Sequence, residues 1–369
     1  MENKKNILHI SAGGLGNGGV STVILSIVKP LHDKYNFSCL VYHHKSSREN
    51  IYLNYGSLFR INCFYESRNK FIRFIDIISR PFKLFWNTYK ICKSNKIDII
   101  HNHLEREGVF CLLGAKLAQV PKRISHCHNQ YFKDQHNYIE NVIKKTTDII
   151  RNFSATDIVG CSKEACESYN NYNFTVIKNS IDLSKFQWKI NDSKEIKFIH
   201  VGRYCYLKNQ EFVIKTFRII SKQIKNCSLL LIGFGEDEYK LKSLVSQYNL
   251  NDKIKFIKGI GYDIPNSLSN SDIMIFPSKH EGFGIALIEA QASGCYCFIS
   301  DKIPNTANVG FTEILSLNQG EEKWANRIIQ YINSDDYRFR NSKKSVVENN
   351  LKEYSEEYIA KKYIELYEQ

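Results

Sequence analysis

The chain has 369 residues, of which 43% are hydrophobic, and a formal net charge of +13 at pH 7. This length favours two domains over one ordinary core, and the apolar content excludes a wholly disordered chain. No run reaches the roughly 18 consecutive apolar residues of a membrane span, and residues 1–5 lead into a short strand rather than a secretory signal, so we expect a cytoplasmic protein.

The eleven cysteines are scattered along the chain and show no paired CxxC spacing. Metal-binding and disulfide frameworks usually have regular cysteine spacings. We therefore expect reduced, partly buried thiols.

The excess positive charge suits nucleic acid, anionic lipid or phosphorylated substrates as partners. Part of it lies in a segment that mixes cations with large apolar residues, here called the basic aromatic segment (residues 70–93). This composition is typical of an amphipathic helix on a membrane surface, although a core-facing helix with a solvated basic side would also have it. We expect no nucleic-acid partner, because no binding motif accompanies the charge. The residues concerned are Lys70, Phe71, Arg73, Phe74, Arg80, Phe82, Lys83, Phe85, Trp86, Tyr89, Lys90 and Lys93.

In chain order, predicted strands and helices alternate twice, with a polar stretch between the two series. Such alternation predicts an α/β fold with two Rossmann-like domains whose parallel sheets face across a cleft. The first series has strands at 7–10, 37–42, 97–100, 123–126 and 157–160, with helices at 20–31, 71–92 and 138–153. The second has strands at 197–201, 228–232, 254–258, 272–276 and 297–300. We place the domains at 1–180 and 181–349, with a C-terminal helix at 350–369.

A glycine-rich turn follows the first predicted strand and includes Gly16, Gly18 and Gly19. Glycines at such a turn allow a ligand to approach backbone N–H groups. The spacing is not a clean GxGxxG, and His43 and His44 follow the next strand where a dinucleotide site has an acid. A dinucleotide-dependent oxidoreductase is therefore disfavoured.

Two cations follow the first strand of the second series. Arg203 and Lys208 are suited to clamp a diphosphate, Arg as a fork and Lys as a point charge. Taken alone, they could equally be two exposed cations.

Two carboxylates, Glu281 and Glu289, flank the start of a predicted helix. A buried strand stops at Pro277, and Gly282 and Gly284 then precede the helix, whose free N–H groups favour phosphate. One carboxylate could bind sugar hydroxyls and the other a ribose diol. Solvated glutamates remain the alternative for this pair taken alone.

Together these motifs resemble the retaining glycosyltransferases of family 4, which have the GT-B architecture, and the resemblance covers essentially the whole chain. It implies that Arg203 and Lys208 neutralise the donor diphosphate, that Glu281 contacts the donor sugar and that Glu289 binds the ribose. It also implies a C-terminal helix that crosses back to the first domain. The donor-binding set it implies is completed by Gly16, Gly18, Gly19, Gly202, Gly235, Tyr262, Gly282, Phe283 and Gly284.

The sequence departs from the family pattern at two positions. Ser180 stands where Asn-Gly is usual at the domain junction, and Asn305 stands after a proline where relatives commonly have Glu. Neither departure indicates which donor is used.

Two His-x-His pairs, His101 with His103 and His126 with His128, follow predicted strands of the first domain. Strand ends face the ligand crevice in open α/β sheets. The resemblance implies catalytic or acceptor-binding roles for His103 and His128, and Glu105 is a further acceptor-site candidate. Metal binding is the alternative for such pairs, but no carboxylate has a recognisable ligand spacing, and we expect none.

The resemblance therefore predicts a retaining, metal-independent transferase with no cofactor. It would move a hexose or N-acetylhexosamine from a UDP-sugar to a lipid-linked oligosaccharide in bacterial capsule or exopolysaccharide synthesis. We expect it at the inner face of the cell membrane. A sugar-nucleotide epimerase and a noncatalytic GT-B partner subunit remain open alternatives.

Overall fold

A computed structural model describes residues 4–11, 14–16, 18–42, 46–61, 70–129, 138–167, 169, 173–190, 193–259 and 262–369. The chain forms two compact units, Met1–Ser180 with Glu356–Gln369 and Ile181–Ser355. Among the residues considered above, His43 and His44 lie outside the described ranges.

The first unit is a parallel sheet with helices packed on it. Its described strands are β1 (Asn6–Ile10), β2 (Asn36–Tyr42), β3 (Gly56–Ile61), β4 (Ile99–Asn102), β5 (Lys122–Cys127), β6 (Asp157–Gly160) and β7 (Thr175–Val176). Its described helices are α1 (Gly19–Leu31), α2 (Glu49–Tyr52), α3 (Lys70–Ser94), α4 (Gly108–Leu117), α5 (Tyr138–Ser154) and α6 (Lys163–Glu167). The strand order is β3-β2-β1-β4-β5-β6-β7, in which the central strands β1 and β4 are almost wholly buried. This is the order of a Rossmann fold.

The second unit repeats the pattern. Its described strands are β8 (Ile196–Val201), β9 (Cys227–Ile232), β10 (Ile254–Ile257), β11 (Ile273–Phe276), β12 (Tyr296–Ser300) and β13 (Thr312–Leu315). Its described helices are α7 (Gln210–Gln223), α8 (Glu238–Gln247), α9 (Ile264–Ser269), α10 (Ile285–Ala292), α11 (Gly320–Ile332), α12 (Asp335–Arg338) and α13 (Lys344–Leu351). The parallel order is β10-β9-β8-β11-β12-β13, and the core contains Phe217 of α7 and Trp324 of α11. Two Rossmann-like domains are therefore confirmed.

The sequence predictions missed three strands, β3, β7 and β13, and in the first unit the helices α2, α4 and α6. The three strands are sheet edges and are mostly half-buried or exposed, so they lack the continuous apolar run of a central strand. Helix α4 packs against both α3 and α5 and is apolar on several sides, so it has no clear helical period.

The C-terminal segment is not the single helix predicted over 350–369. Helix α13 ends at Leu351, a short 3-10 turn follows, and α14 (Glu356–Glu368) begins after Ser355. The helix is interrupted because Ser355 has extended backbone angles and forms a β-bridge with Ile181, whose N–H donates to the Tyr354 carbonyl at 2.9 Å.

Helix α14 packs against α1 within the first unit. Near its end, the Glu368 carboxylate accepts hydrogen bonds from Lys5 Nζ and the Tyr35 hydroxyl, each at 2.7 Å. These bonds lower the pKa of Glu368 to about 2. No described helix has the length and apolar character needed to cross a membrane.

Cysteine chemistry agrees with the prediction. The ten described cysteines are all free, and nine of them are buried. Burial raises the pKa of thiols such as Cys92 and Cys111 to about 12, which keeps them protonated and poorly reactive.

Two tyrosines on α14 give a matched test of buried hydrogen bonding. Tyr363 and Tyr367 are both 1% exposed, but only the Tyr367 hydroxyl has a hydrogen-bond partner among the described residues, His101 Nδ1 at 2.8 Å. We expect Tyr367→Phe to lower the free energy of unfolding by about 1–2 kcal/mol, because it leaves a buried imidazole nitrogen unpaired. Tyr363→Phe should be neutral or slightly stabilising in the same urea denaturation. Equal losses in both variants would contradict the assignment.

Candidate functional site

The predicted carboxylate element of the second unit lies at the carboxyl end of a buried strand. All four residues of β11 are buried, and the chain turns at Pro277 into a loop that ends at α10. Gly284 is the N-cap of α10 with φ +90°, a left-handed conformation that favours glycine. The strand, glycine loop and helix are as the sequence predicted. Gly282 and Gly284 therefore lie at a helix N-terminus, where backbone N–H groups favour an anion.

Lys208 and Glu281 come together although 73 residues separate them. The Lys208 ammonium and the Glu281 carboxylate form an ion pair, and the Glu281 side chain is only 9% exposed. Ser278 Oγ donates a second hydrogen bond to the same carboxylate at 3.2 Å. The structure thus places one cation and one anion side by side at the end of β11.

Two hydrogen bonds join the two loops that carry this pair. Lys279 N–H donates to the Leu207 carbonyl at 2.8 Å, and Asn209 Nδ2 donates to the Pro277 carbonyl at 3.1 Å. Asn209 caps α7 with φ +58°, a left-handed conformation that asparagine tolerates well. Lys208 is consequently held by the residues on both sides of it, Leu207 through its carbonyl and Asn209 through its side chain.

Arg203 lies in the loop after β8 and does not join the Lys208–Glu281 pair. Its guanidinium is 69% exposed and donates to Glu236 Oε2 at 3.0 Å. Its carbonyl accepts from Gln210 Nε2 at 2.8 Å. The side chain of Arg203 is therefore accessible, while its backbone is held by the first residue of α7.

Two glycines let the loops after β8 and β9 pack main chain against main chain. A Cβ on Gly233 would lie 2.0 Å from the Gly202 carbonyl oxygen, and one on Gly235 would lie 2.2 Å from the Tyr204 carbonyl oxygen. Tyr204 N–H donates to the Phe234 carbonyl at 3.0 Å. The close approach of the two loops therefore requires glycine at position 235, whether or not Gly235 also binds the donor as predicted.

Sequence reasoning missed His200, which lies in β8. Its Nδ1 is 2.9 Å from the Ile275 carbonyl and its Nε2 is 3.2 Å from Gln210 Nε2. Burial, with a smaller contribution from the Lys208 cation, lowers the pKa of His200 to about 4 although the hydrogen bond to the Ile275 carbonyl raises it, so the ring is neutral at pH 7. The one signal for it in the sequence is that a histidine lies inside a predicted strand, two residues before Gly202.

The other predicted donor-binding residues of this unit take different positions. Phe283 is 3% exposed and packs near Tyr354, with ring centroids 6.2 Å apart, so its side chain serves packing. Glu289 lies in the second turn of α10 and is half-buried. Tyr262 is 39% exposed beside α9, while Gly261 before it lies outside the described residues.

The glycine-rich turn of the first unit follows β1. Among the described residues, a Cβ on Gly16 or Gly18 would meet no atom within 4 Å, so contacts with them do not require glycine at either position. Gly18 is the N-cap of α1, and Gly19 is its first residue. These glycines leave open space at a helix N-terminus, as a ligand-binding turn requires.

Five histidines of the first unit form one buried cluster, and it includes His9 of β1, which sequence reasoning did not single out. The five rings are at most 8% exposed and stack between neighbouring strand ends. His103 Nε2 lies 2.8 Å from His9 Nδ1, and His103 Nδ1 lies 2.9 Å from His128 Nε2. His101 Nε2 lies 3.1 Å from His126 Nδ1. Alternation along β1, β4 and β5 places these side chains on one face of the sheet.

The cluster is uncharged at neutral pH. Burial lowers the pKa of His9 to about 3 and that of His128 to about 4, and neighbouring rings add to the lowering for His101, His103 and His126. Two sets, His9 with His101 and His103, and His103 with His126 and His128, each bring three ring nitrogens within 4.8 Å and could hold a metal ion. Neutral imidazole can act as a metal ligand, hydrogen-bond donor or acceptor.

Glu105 lies just beyond His103, in the loop between β4 and α4. Its Oε1 accepts a hydrogen bond from Asn129 Nδ2 at 2.7 Å. Its carbonyl accepts from Arg151 Nη2 of α5 at 3.3 Å. The acceptor-site candidates Glu105, His103 and His128 therefore lie close together at the ends of β4 and β5.

Comparison with known proteins divides the chain at the junction of its two units. Residues 17–185 match the family described as Glycosyltransferase Family 4, and residues 181–352 match Glycosyl transferases group 1.

Relatives of the chain include bacterial glycosyltransferases. The Bacillus subtilis (strain 168) protein EpsF is 26% identical over 88% of this chain and 87% of its own length. The capsular polysaccharide biosynthesis glycosyltransferase CapH of Staphylococcus aureus is 30% identical over 66% of this chain and 70% of its own. A UDP-Gal:α-D-GlcNAc-diphosphoundecaprenol α-1,3-galactosyltransferase of Escherichia coli is 29% identical over 60% of this chain and 62% of its own.

A solved structure shares the fold. Anabaena HepE in complex with UDP and glucose superimposes with a TM-score of 0.77, at 14% identity, over 98% of both chains. The GT-B architecture implied by the sequence motifs is therefore confirmed.

The buried histidines make stability depend on pH. In the unfolded chain they titrate near pH 6.5, whereas in the folded chain burial holds the pKa values of His9 and His128 at about 3 and 4. Below about pH 6.5 the unfolded chain binds more protons, so the free energy of unfolding falls as pH falls. We expect a loss of up to about 1.4 kcal/mol per pH unit for each histidine that protonates only on unfolding.

Urea denaturation at pH 7.5, 6.5 and 5.5 measures this slope. His9→Gln removes one of these histidines, so it should reduce the dependence of the free energy of unfolding on pH by up to about 1.4 kcal/mol per pH unit. A stability that does not change between pH 7.5 and 5.5 would contradict the prediction.

Proposed function

The chain belongs to the family 4 glycosyltransferases, and we propose that it moves a hexose or N-acetylhexosamine from a UDP-sugar to a hydroxyl of a lipid-linked glycan, with retention at the anomeric carbon. The Lys208–Glu281 pair beside the N-terminus of α10 supports the donor assignment most directly. UDP is favoured because HepE, which shares the fold, binds UDP and glucose.

The second unit would bind the donor. Lys208 and the exposed Arg203 would neutralise the diphosphate, together with N–H groups at the start of α10. When the diphosphate engages Lys208, Glu281 is released from its ion pair and can accept hydrogen bonds from sugar hydroxyls. Glu289, in the second turn of α10, would bind the ribose diol.

The transfer step would consist mainly of stabilising the charge that grows on the leaving phosphate. The acceptor hydroxyl attacks the anomeric carbon from the face that the diphosphate leaves, and the departing phosphate takes the hydroxyl proton. These cations supply positive charge without a metal ion, and we propose that the transfer needs no metal or other cofactor.

The first unit would bind the acceptor through His128 and Glu105. His103, whose two ring nitrogens pair with His9 and His128, would orient the His128 ring. Neutral imidazoles can donate to and accept from sugar hydroxyls. A lipid-linked acceptor is supported by the Escherichia coli relative, whose name specifies a diphosphoundecaprenol acceptor, and a capsule or exopolysaccharide role by CapH.

A lipid-linked acceptor places the enzyme at the inner face of the cell membrane. The basic aromatic segment lies in α3, where Phe82 is 67% exposed and Trp86 is 38% exposed. Phe85 is half-buried and contributes less surface. We propose peripheral membrane contact through this helix.

Thermal stabilisation tests donor binding. UDP, GDP, ADP, NAD and a panel of UDP-sugars are compared in EDTA, since a ligand at about 100 times its dissociation constant adds roughly 2.7 kcal/mol. We expect a shift with UDP and one UDP-sugar. Glu289→Ala should abolish this shift, while the control Glu322→Ala, an exposed acid on α11, should keep it. A shift with NAD alone would indicate an oxidoreductase, and no shift with any nucleotide would indicate a noncatalytic partner subunit.

Product analysis tests the reaction. The UDP-sugar that stabilises the protein is incubated with diphosphoundecaprenol-linked sugars in EDTA, and the product is examined by mass spectrometry and by NMR of the anomeric carbon. We expect transfer with retained configuration. Inverted configuration would contradict the proposed mechanism, and a changed UDP-sugar in the absence of acceptor would indicate an epimerase.

A further inference from the structure

Helix α5 has an inverted amphipathic pattern. Its buried residues are mainly polar or charged, and its exposed face is apolar, whereas an ordinary surface helix shows the opposite arrangement. The buried set is Lys144, Thr147, Asp148, Arg151 and Ser154. The exposed apolar residues, between 45% and 83% exposed, are Tyr138, Ile139, Val142, Ile143, Ile149 and Phe153.

The buried charges of α5 hold the helix in this orientation. Asp148 accepts hydrogen bonds from Lys144 Nζ at 2.6 Å and from Arg151 Nη1 at 2.5 Å, and the three side chains are at most 7% exposed. The Arg151 guanidinium lies 4.4 Å from the centre of the Tyr169 ring. Rotating α5 to bury its apolar face would break this network of buried ion pairs, and breaking buried ion pairs is costly. The network therefore fixes the orientation in which the apolar face is exposed.

The N-terminal half of α3 is inverted in the same way. Asp76 and Arg80 are buried, and Asp76 also accepts a hydrogen bond from Lys83 Nζ at 2.8 Å. After Pro81 the pattern becomes ordinary, with Leu84 and Cys92 facing the core. The exposed apolar residues before Pro81, between 49% and 63% exposed, include Phe74, Ile75, Ile77 and Ile78.

Both inverted helices are hydrogen-bonded to one loop, residues 103–107 after β4. Arg80 Nη1 of α3 donates to Glu107 Oε1 at 2.9 Å, and Arg151 Nη2 of α5 donates to the Glu105 carbonyl at 3.3 Å. Helix α4, which follows this loop, packs against both helices. The two helices therefore flank the loop that carries His103 and Glu105, with their charged faces toward it and their apolar faces exposed.

We propose that the exposed faces of α5 and of α3 before Pro81 form one surface that inserts into the headgroup region of an anionic phospholipid bilayer. The proposal rests on the proposed lipid-linked acceptor and deepens it. Through Arg80 and Arg151, the same contact holds the acceptor loop 103–107 beside the lipid, where the sugar of a lipid-linked acceptor would lie.

The positive charge of these helices favours an anionic bilayer as the partner of this surface. Helix α3 carries six Lys or Arg residues and one Asp, and α5 carries three Lys or Arg residues and two acids. Arg80, Lys144 and Arg151 among them are buried in ion pairs, so the accessible cations, such as the exposed Lys90 and Lys93, lie mainly on α3. Accessible cations on a helix with an apolar face complement anionic headgroups. A second copy of the chain would bring the same excess of cations to the interface, and like charges oppose such pairing.

Vesicle co-sedimentation tests the surface, with phosphatidylcholine vesicles compared with vesicles containing 30% phosphatidylglycerol. Two double variants, Ile139→Asn with Ile143→Asn on α5 and Ile75→Asn with Ile78→Asn on α3, each remove apolar residues from one face. The control pair, Tyr239→Asn with Phe339→Asn, removes side chains 87% and 68% exposed in the second unit. We expect each helix variant to reduce binding to anionic vesicles at least tenfold and the control to bind like the wild type.

Folding and donor binding are followed separately by circular dichroism and by the UDP thermal shift, which all variants should retain. Wild-type protein that does not bind anionic vesicles, or helix variants that bind as well as the wild type, would overturn the proposal. Sedimentation velocity that shows a dimer lost in both helix variants would assign the surface to a second copy and also overturn it. Vesicle binding without any nucleotide response would instead count against the proposed transferase function alone.

Discussion

Every candidate group of this protein depends on the parallel direction of its strands. Parallel strands end at one edge of a sheet, so residues far apart in sequence arrive there together. In the first unit this brings the histidines that follow β4 and β5 beside the glycine turn after β1. In the second unit the same constraint brings the loops after β8 and β11 together, and with them Lys208 and Glu281. The chemistry of each unit follows from this shared edge.

The Lys208–Glu281 pair is the main electrostatic feature of the candidate donor site. An exposed ion pair contributes only about 0–1 kcal/mol, but here the carboxylate is largely buried and leaving it unpaired would cost more. A ligand that takes the lysine must therefore also satisfy Glu281. A sugar nucleotide does both, since its diphosphate attracts the cation and its hydroxyls can donate to the carboxylate. The pair thus favours a complete donor over phosphate alone.

The first unit carries its polar groups differently. The five histidines of its buried cluster are neutral because they are buried, and ring-to-ring hydrogen bonds fix their orientation. Tyr367 of α14 extends this network at His101, so the end of the chain contributes to the interior of the first unit. The inverted helices α3 and α5 place charge inside and apolar groups outside, around the loop that follows His103.

Central strands and the glycine loop before α10 could be predicted from the sequence because their signals are local. A buried strand such as β11 reads as an apolar run, and Gly284 marks a helix start that needs a left-handed residue. The edge strands β3 and β13 lack that run, and the break at Ser355 depends on a bridge to distant Ile181. The burial and contacts of His9 and His200 and the inverted pattern of α5 could likewise not be predicted, because each depends on partners brought in by the tertiary fold.

The central claim is that Lys208 binds the donor diphosphate. Calorimetric titration of UDP and of uridine into wild type and Lys208→Gln tests it most directly, because the ratio of the two affinities isolates the contribution of the diphosphate. The account predicts that Lys208→Gln lowers UDP affinity at least tenfold and leaves uridine affinity unchanged. An unchanged ratio of UDP to uridine affinity in a folded variant would contradict it.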